Sequence, residues 1–351
     1  MKLAQSLLWP LTLPYGSWVR FRAWSYRKGI FQQKRLNGTV ISVGNLTTGG
    51  TGKTPMVCWI ANRLLAEGKN AGVLTRGYRG RSASAAEESG KSSRITSDEV
   101  ELLKARLGNR IPIGVGARRF RTGQELARQG VQWFVLDDGF QHLPLARDVD
   151  IVLVDATNPF GDGKLLPAGR LREPKSALAR AHVIVITRSI HSPALEAAIR
   201  RDSAAPIFYA HTTLDSIHAF SDGLPSMPQM DDLKVRGQKF FAFCGVGNPS
   251  AFVVDLRDWG IQLAGSKFFR DHHRYTQENV REIEAEARTA GADALLCTEK
   301  DVFNLTGVRA QSLDVMFCRI SLRIESEEDF WRAVMAAVES PARPRSKRAT
   351  R

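Results

Sequence analysis

The sequence predicts an α/β protein: a P-loop-containing, doubly wound, mostly parallel sheet domain, a second, smaller α/β domain and an N-terminal interfacial helix. Three observations carry this expectation. Short apolar runs alternate with amphipathic segments along most of the 351 residues, the pattern of parallel strands joined by crossover helices. Residues 38–55, GTVISVGNLTTGGTGKTP, read as an apolar strand running into a glycine-rich loop, a Lys-Thr pair and a helix with Pro55 in its first turn. Between 221 and 238 the pattern lapses into Gly, Pro, Ser and mixed charge before a new strand begins, which marks a domain boundary. The expected divisions are 1–35, 36–228, 229–340 and a tail at 341–351.

Residues 1–35 are greasy, aromatic and basic together. Trp9, Trp18 and Trp24 stand among Leu, Val, Phe and Ile, and Arg20, Arg22, Arg27, Lys28, Lys34 and Arg35 all precede the first acidic residue, Glu67. This is the composition of an interfacial anchor. Lys2 ahead of an apolar stretch also suits a secretory signal, but Pro10 and Pro14 interrupt that stretch and no small-x-small cleavage site follows. No apolar run reaches the roughly 18 residues that span a bilayer. The formal charge of +14 fits an anionic membrane better than nucleic acid, because the basic residues are interleaved with large apolar ones. A second basic run, Arg343, Arg345, Lys347, Arg348 and Arg351, reads as a disordered tail after Pro341 and Pro344.

In the domain at 36–228, strands are expected at 39–43, 72–75, 133–136, 151–154, 183–187 and 207–211, with helices at 55–67, 99–107, 120–129 and 193–201. In 229–340 the strands are 239–244, 294–298 and 314–320, and the helices 249–258, 276–290 and 327–339. Thr276 caps the long helix and Gly291 ends it. Residues 82–93 are of low complexity and read as a surface loop or lid. Cys58, Cys244, Cys297 and Cys318 stand far apart without C-x-x-C spacing and read as reduced core residues.

The glycine-rich loop carries the chemistry. Gly49, Gly50 and Gly52 let backbone N–H groups curl toward an anion, and the helix that follows points its positive end at the same place. Lys53 and the Thr54 hydroxyl are placed for phosphate and Mg²⁺. Thr48, Gly49, Gly50, Thr51, Gly52, Lys53 and Thr54 are therefore the candidate nucleotide-binding set. The common G-x-x-x-x-G-K-[ST] spacing would need glycine where this chain has Thr47; the stretch fits an x-G-G-x-G-K-T variant whose first position, often lysine, is Thr48.

A phosphate loop needs an acid at the end of a nearby strand to hold Mg²⁺, and Trp133-Phe-Val-Leu-Asp137-Asp138 supplies two. Side chains alternate along a strand, so Asp137 and Asp138 take separate jobs, and which one meets the metal is open. Asp155 ends the next strand, where a turn is an equal reading. Gln141 and His142 lie beside the acids, and Arg76, Arg119, Arg170 and Arg172 are candidates for neutralising charge on a phosphoryl group or substrate. For activating a hydroxyl, spacing leaves two clusters: Ser97-Asp98-Glu99, and Phe269-Arg270-Asp271-His272-His273. By spacing alone Asp98 reads as a helix N-cap.

Taken in order, Gly44 to Pro55, Thr75-Arg-Gly-Tyr78, Asp98-Glu99, Asp137-Asp-Gly-Phe-Gln-His142, Leu165 to Pro174, Gly245-Val-Gly-Asn-Pro249, Phe269 to His273 and Thr298-Glu-Lys-Asp301 resemble the tetraacyldisaccharide 4′-kinase family over nearly the whole chain. The departure at Thr47 is a feature of that family. The resemblance implies a kinase dependent on ATP and Mg²⁺ that phosphorylates the 4′-hydroxyl of a tetraacyldisaccharide 1-phosphate in lipid A synthesis. It implies a peripheral protein at the cytoplasmic face of the inner membrane, with the lipid disaccharide and the membrane surface as partners, no nucleic acid and no obligate protein partner. It also ranks residues that spacing does not: Asp98 as base, His272 as its hydrogen-bonding partner from the opposing domain, Lys53 as a further catalytic group, and Glu173 as a second magnesium or substrate contact. Hydroxyl activation would then be tied to domain closure. The alternative is a membrane-associated P-loop nucleotide-switch ATPase, whose signature lysine would stand where this chain has Thr48.

Overall fold

The computed structural model describes residues 2–77, 97–221, 224–229 and 237–340. Tyr78, the 82–93 loop, the 341–351 tail and residues 222–223 and 230–236 of the boundary stretch lie outside the described residues. The chain forms two compact units, one made of Met1–Arg76, Asn109–His211 and Ile324–Arg351, the other of Gly77–Gly108 and Thr212–Arg323. This division departs from the expected one in three places: the helix that begins at Asp98 belongs with the second unit, that unit resumes at Thr212 and not at 229, and the last helix belongs with the first.

The first unit is built on β1 (Thr39–Asn45), β2 (Ala71–Thr75), β3 (Ile113–Val115), β4 (Trp133–Asp137), β5 (Val149–Asp155), β6 (Val183–Thr187) and the start of β7 (Ile207–Ser221), in the order β7-β6-β5-β1-β4-β2-β3. All these pairs are parallel. Strands β2, β5 and β6 are buried at every position, as expected of a parallel sheet covered on both faces. The central strand β1 lies between β4 and β5, with Val43 opposite both Asp137 and Ile151. That register brings the end of the phosphate-loop strand level with the paired carboxylates. The three-residue β3 escapes sequence reading because it is too short to show a period.

Helix α2 (Lys53–Ala66) buries Met56, Val57, Cys58, Ile60, Ala61 and Leu64 along one stripe, at the spacing of a helix packed on a sheet. The C-terminal helix α9 (Glu327–Glu339) returns to cover α2. Phe330 is fully buried, with ring centroids 5.4 Å from Trp59 and 5.5 Å from Phe208, and Arg63 forks onto Glu328 at 2.8 and 2.9 Å. These contacts are why α9 joins the first unit.

Helix α1 (Lys2–Arg27) runs through Pro10 and Pro14, which the sequence reading takes as interruptions. Its inward side is small and polar, with Thr12, Gly16 and Ser25 buried, while Trp9, Leu11, Leu13, Trp18, Phe21 and Trp24 are exposed. That is the reverse of a helix folded for water. Its inner side rests on two functional segments: Tyr15 Oη donates to the Arg172 carbonyl at 2.9 Å, and Arg22 Nη1 to the Gln141 carbonyl at 3.2 Å.

In the second unit β9 (Lys239–Cys244), β10 (Gln262–Phe268), β11 (Ala294–Thr298) and β12 (Asp314–Ile324) run parallel in the order β10-β9-β11-β12, and β8 (Leu224–Gln229) pairs antiparallel with the end of β7. Sequence reading misses β10, QLAGSKF, because this edge strand is largely exposed and carries Gly265. Helix α7 (Gln277–Thr289) opens with a capping box between Thr276 and Asn279. Helix α3 (Asp98–Leu107) is held to the short helix α8 (Glu299–Val302) by Arg106, which donates from Nε to Glu299 at 2.9 Å and from Nη1 to the Ile320 carbonyl at 2.6 Å. A buried arginine needs such partners, and they fix α3 in this unit. All four cysteines are buried and none forms a disulfide.

Phe330→Ala is expected to destabilise the first unit by about 3–5 kcal/mol, because it opens a cavity between α9, Trp59 and Phe208. Urea unfolding of the purified variant against the parent checks this.

Candidate active site

The first unit holds the phosphate loop. Gly52, the residue before α2, has φ 83°, a left-handed conformation that glycine adopts at no steric cost, and it aims the first N–H groups of α2 inward. The loop is laced to the segment 165–173. Thr48 N–H donates to the Arg170 carbonyl at 2.8 Å, Arg172 N–H donates to the Leu46 carbonyl at 2.7 Å, and Arg170 returns from Nε and Nη2 to the Thr48 carbonyl at 3.1 and 2.7 Å.

Asp137 and Asp138 diverge as the strand geometry requires. Asp137 is buried and accepts from the Thr75 hydroxyl at 2.9 Å. Asp138, at φ 49°, turns the chain out of β4. Both its oxygens accept from Arg172 Nη1, at 2.8 and 2.7 Å, and one lies 3.7 Å from Lys53 Nζ. Burial alone would raise its pKa, but Lys53 and Arg172 outweigh burial and hold it below the ordinary carboxylate value. Lys53 also donates to Asn45 Oδ1 at 3.3 Å, and Gln141 fixes Asn45 by donating to its carbonyl at 3.0 Å.

Buried donors without a hydrogen-bond partner among the described residues include Asn45 Nδ2, Thr51 Oγ1 and Arg119 Nε, with Ser42 Oγ and Arg180 Nε in the same unit. Arg119, 5% exposed, begins α4 (Arg119–Arg128) and feels the charges of Asp137 and Asp138, yet burial still lowers its pKa. Unsatisfied buried donors are costly, and an anion bound in the loop would satisfy them. Burial, then the positive charges of Arg119, Arg147, Arg22 and Arg76, push the His142 pKa down to about 4, so this imidazole is neutral at physiological pH.

Several of the expected substrate or metal contacts also hold the scaffold together. Glu173 is 4% exposed, and its two oxygens accept from Arg180 at 2.7 and 3.0 Å, which anchors the 165–174 segment. Arg170 and Arg172 are committed to Thr48 and Asp138, while Arg76 stays exposed. Asp155 makes the turn: its Oδ1 accepts from Thr157 N–H at 2.9 Å and from the Thr157 hydroxyl at 2.6 Å.

The second unit holds the other cluster. Ser97, not Asp98, caps α3, accepting from Val100 N–H. Asp98 is thereby free to face His272, whose Nδ1 lies 2.9 Å from Oδ2 and 3.1 Å from Oδ1. The sequence reading sets the two residues on opposing domains; both belong to this unit, so their pairing requires no domain closure. Asn304 Nδ2 donates to Asp98 Oδ2 at 3.2 Å, and Lys300 Nζ stands 3.8 Å from the same oxygen. His272 is held at φ 58° by its N–H to the Gly245 carbonyl, at 3.0 Å. A side chain at Gly245 would press on the Arg270 carbonyl and His273. Its neighbour His273 takes no part in the pair, since it stacks on Phe269 and meets Asn279 at 2.9 Å. Burial would raise the Asp98 pKa, but the hydrogen bond to His272 and the Lys300 charge bring it below 3.8; the same hydrogen bond raises His272 above 6.5. Lys300, Asn304, Asn45 and Arg180 are absent from the expected site set, although Lys300 and Asn45 stand inside quoted motifs.

The profile of the tetraacyldisaccharide-1-P 4′-kinase family matches residues 4–339. The chain belongs to this family. Curated members include a tetraacyldisaccharide 4′-kinase of Geobacter metallireducens, 40% identical over 87% of this chain and 89% of its own length, and one of Desulfotalea psychrophila, 35% identical over 86% and 88%. Among solved structures, the "apo" form LpxK from Aquifex aeolicus in complex with ATP matches with a TM-score of 0.66 and 26% identity, over 95% of this chain and 99% of that one.

The Asp98–His272 pair sets a pH dependence. The depressed carboxylate contributes fully above about pH 3.8 and loses its contribution as pH falls through its folded value; the raised imidazole contributes fully below about pH 6.5 and loses it as pH rises through its folded value. His272→Gln is therefore expected to cost most stability between these limits and less at alkaline pH. Urea unfolding of parent and variant at about pH 5.5 and about pH 8.5 measures the difference.

Proposed function

We propose that this chain transfers the γ-phosphoryl group of ATP to the 4′-hydroxyl of a tetraacyldisaccharide 1-phosphate. The observation that carries the reading is the set of unpartnered buried donors, Asn45 Nδ2, Thr51 Oγ1 and Arg119 Nε, gathered with Lys53 and the N-terminus of α2 where a nucleotide's phosphates would satisfy them. Thr54 and the Asp137–Asp138 pair fit Mg²⁺, which takes a few protein oxygens and keeps phosphate and water for the rest. When bound, the ion would neutralise charge on the β- and γ-phosphates. Lys53 and Arg119 hold the phosphoryl group, and Asp138, fixed by Arg172, holds Lys53 in place. The hydroxyl oxygen attacks the γ-phosphorus, the bond to the ADP oxygen breaks, and the hydroxyl proton passes to Asp98, which His272 orients as base.

The exposed apolar face of α1, with Trp9, Trp18 and Trp24, serves as an interfacial anchor that brings the enzyme to a substrate whose acyl chains stay in a bilayer. No helix among the described residues is long and apolar enough to cross a membrane, which suits peripheral attachment at the cytoplasmic face of the inner membrane.

With Mg-ATP and tetraacyldisaccharide 1-phosphate in detergent micelles, the parent should yield the 4′-phosphorylated product. Asp98→Asn is expected to lower transfer by about 10²–10⁴-fold, and Lys53→Ala to abolish it; absence of transfer by the parent would sink the reading. Replacing Trp9, Trp18 and Trp24 together with serine should release the protein from anionic vesicles in a sedimentation assay while leaving its melting temperature near the parent's. Unchanged sedimentation would rule out the anchor.

A further inference from the structure

Lys300 has no role in the chemistry so far, yet it stands at the centre of the second cluster. Its Nζ lies 3.5 Å from His272 Nε2, 3.6 Å from Asp271 Oδ1, 3.8 Å from Asp98 Oδ2 and 3.9 Å from Glu99 Oε1. One ammonium thus faces three carboxylates and the far nitrogen of the imidazole that pairs with Asp98. The groups come from every element packed there: Asp98 and Glu99 from α3, Asp271 and His272 from the loop after β10, and Lys300 and Asn304 from α8 and the turn beyond it.

The backbone carrying Lys300 is pinned on both sides. Glu299 is buried against Arg106. Asp301, 1% exposed, accepts from Gly245 N–H at 2.8 Å, from Tyr275 Oη at 2.8 Å and from Thr298 Oγ1 at 2.5 Å. Gly245 in turn receives the His272 N–H through its carbonyl. Asp301 therefore ties the lysine and the histidine to one frame, and the short Lys300–His272 distance is built in.

We propose that Lys300 is a positioning residue for the base: standing with Asp271 on the Nε2 side of His272, it opposes protonation of that nitrogen, leaves the remaining ring proton on Nδ1 directed to Asp98, and holds Asp98 ionised. An imidazolium locked to Asp98 makes the carboxylate a weaker base, whereas a neutral imidazole donating one hydrogen bond leaves it able to take the hydroxyl proton. A cation beside Nε2 opposes the second protonation of the ring. Without it, His272 would face Asp98, Glu99 and Asp271 with one cation fewer beside them, and would keep its second proton to higher pH.

The inference rests on the base assignment for Asp98, so it is tested with one readout independent of catalysis and one dependent on it. The first is an NMR titration of the His272 ring protons in the full chain, assigned with His272→Gln, for the parent, Lys300→Met and Lys300→Arg. The second is the pH profile of kcat/KM for phosphoryl transfer by the same proteins. The Lys300→Met midpoint is expected to rise by about one to two pH units, the acidic limb of kcat/KM to move up with it, and Lys300→Arg to restore both toward the parent. An unmoved midpoint in a folded Lys300→Met overturns the proposal, as does a rate loss uniform across pH. A midpoint that moves while the acidic limb stays also overturns the positioning role. Failure of the base assignment has a different signature: Asp98→Asn and His272→Gln would then retain the parent's rate and profile.

Discussion

The phosphate loop depends on being laced to a second segment. Three glycines within four residues make it able to wrap an anion and also make it costly to order, since glycine loses more backbone freedom on folding than any other residue. The segment 165–173 supplies the order, through backbone bonds at Leu46 and Thr48 and the Arg170 guanidinium on the Thr48 carbonyl. The same segment delivers Arg172 to Asp138, and Asp138 steadies Lys53. Glu173, locked to Arg180, which stacks over Phe140 at 4.3 Å, fixes the far end. Remove this lacing, and the loop, the second carboxylate and the lysine would each lose a partner.

The two units manage charge differently. Around the loop positive charge is in excess: Lys53, Arg119 and Arg172 surround two carboxylates, His142 is driven neutral, and buried donors stand unsatisfied. Such a site is stabilised when an anion enters it. The cluster at Asp98 is in excess of negative charge, with Asp98, Glu99 and Asp271 around one lysine and one histidine. It is suited to holding or accepting a proton. One unit thus gathers positive charge around its glycine-rich loop, and the other gathers negative charge around one lysine and one histidine.

Much of this was legible in the sequence, for reasons that can be named. The strands at the centre of each unit are continuous apolar runs, and the strand-loop-helix at 38–55 reads as a phosphate loop over a plain glycine-rich turn because its three glycines, Lys53 and Thr54 coincide. What escaped was short, exposed or dependent on tertiary pairing. Strands β3 and β10 show too little period. Asp98 read as a cap because only the structure shows Ser97 doing that work. That Arg180, seven residues on, takes both oxygens of Glu173 could not be read from the sequence either. The unit boundary was missed for the same reason: Arg106 and Phe330 assign their helices by contacts with residues about 190 and 270 positions distant, which no local pattern encodes.

Helix α1 ties the lacing to the surface. A helix that buries its small residues and displays its tryptophans gains little from water-driven folding, so specific bonds must hold it in place. Tyr15 and Arg22 do this, and both bond to backbone carbonyls of the site itself, at Arg172 and Gln141. Gly16 allows the close approach, since a side chain there would press on Leu165 in the lacing segment. Any tilt of α1 therefore bears first on the residues that position Asp138 and Asn45. That linkage makes the orientation of α1 and the shape of the phosphate loop one mechanical problem.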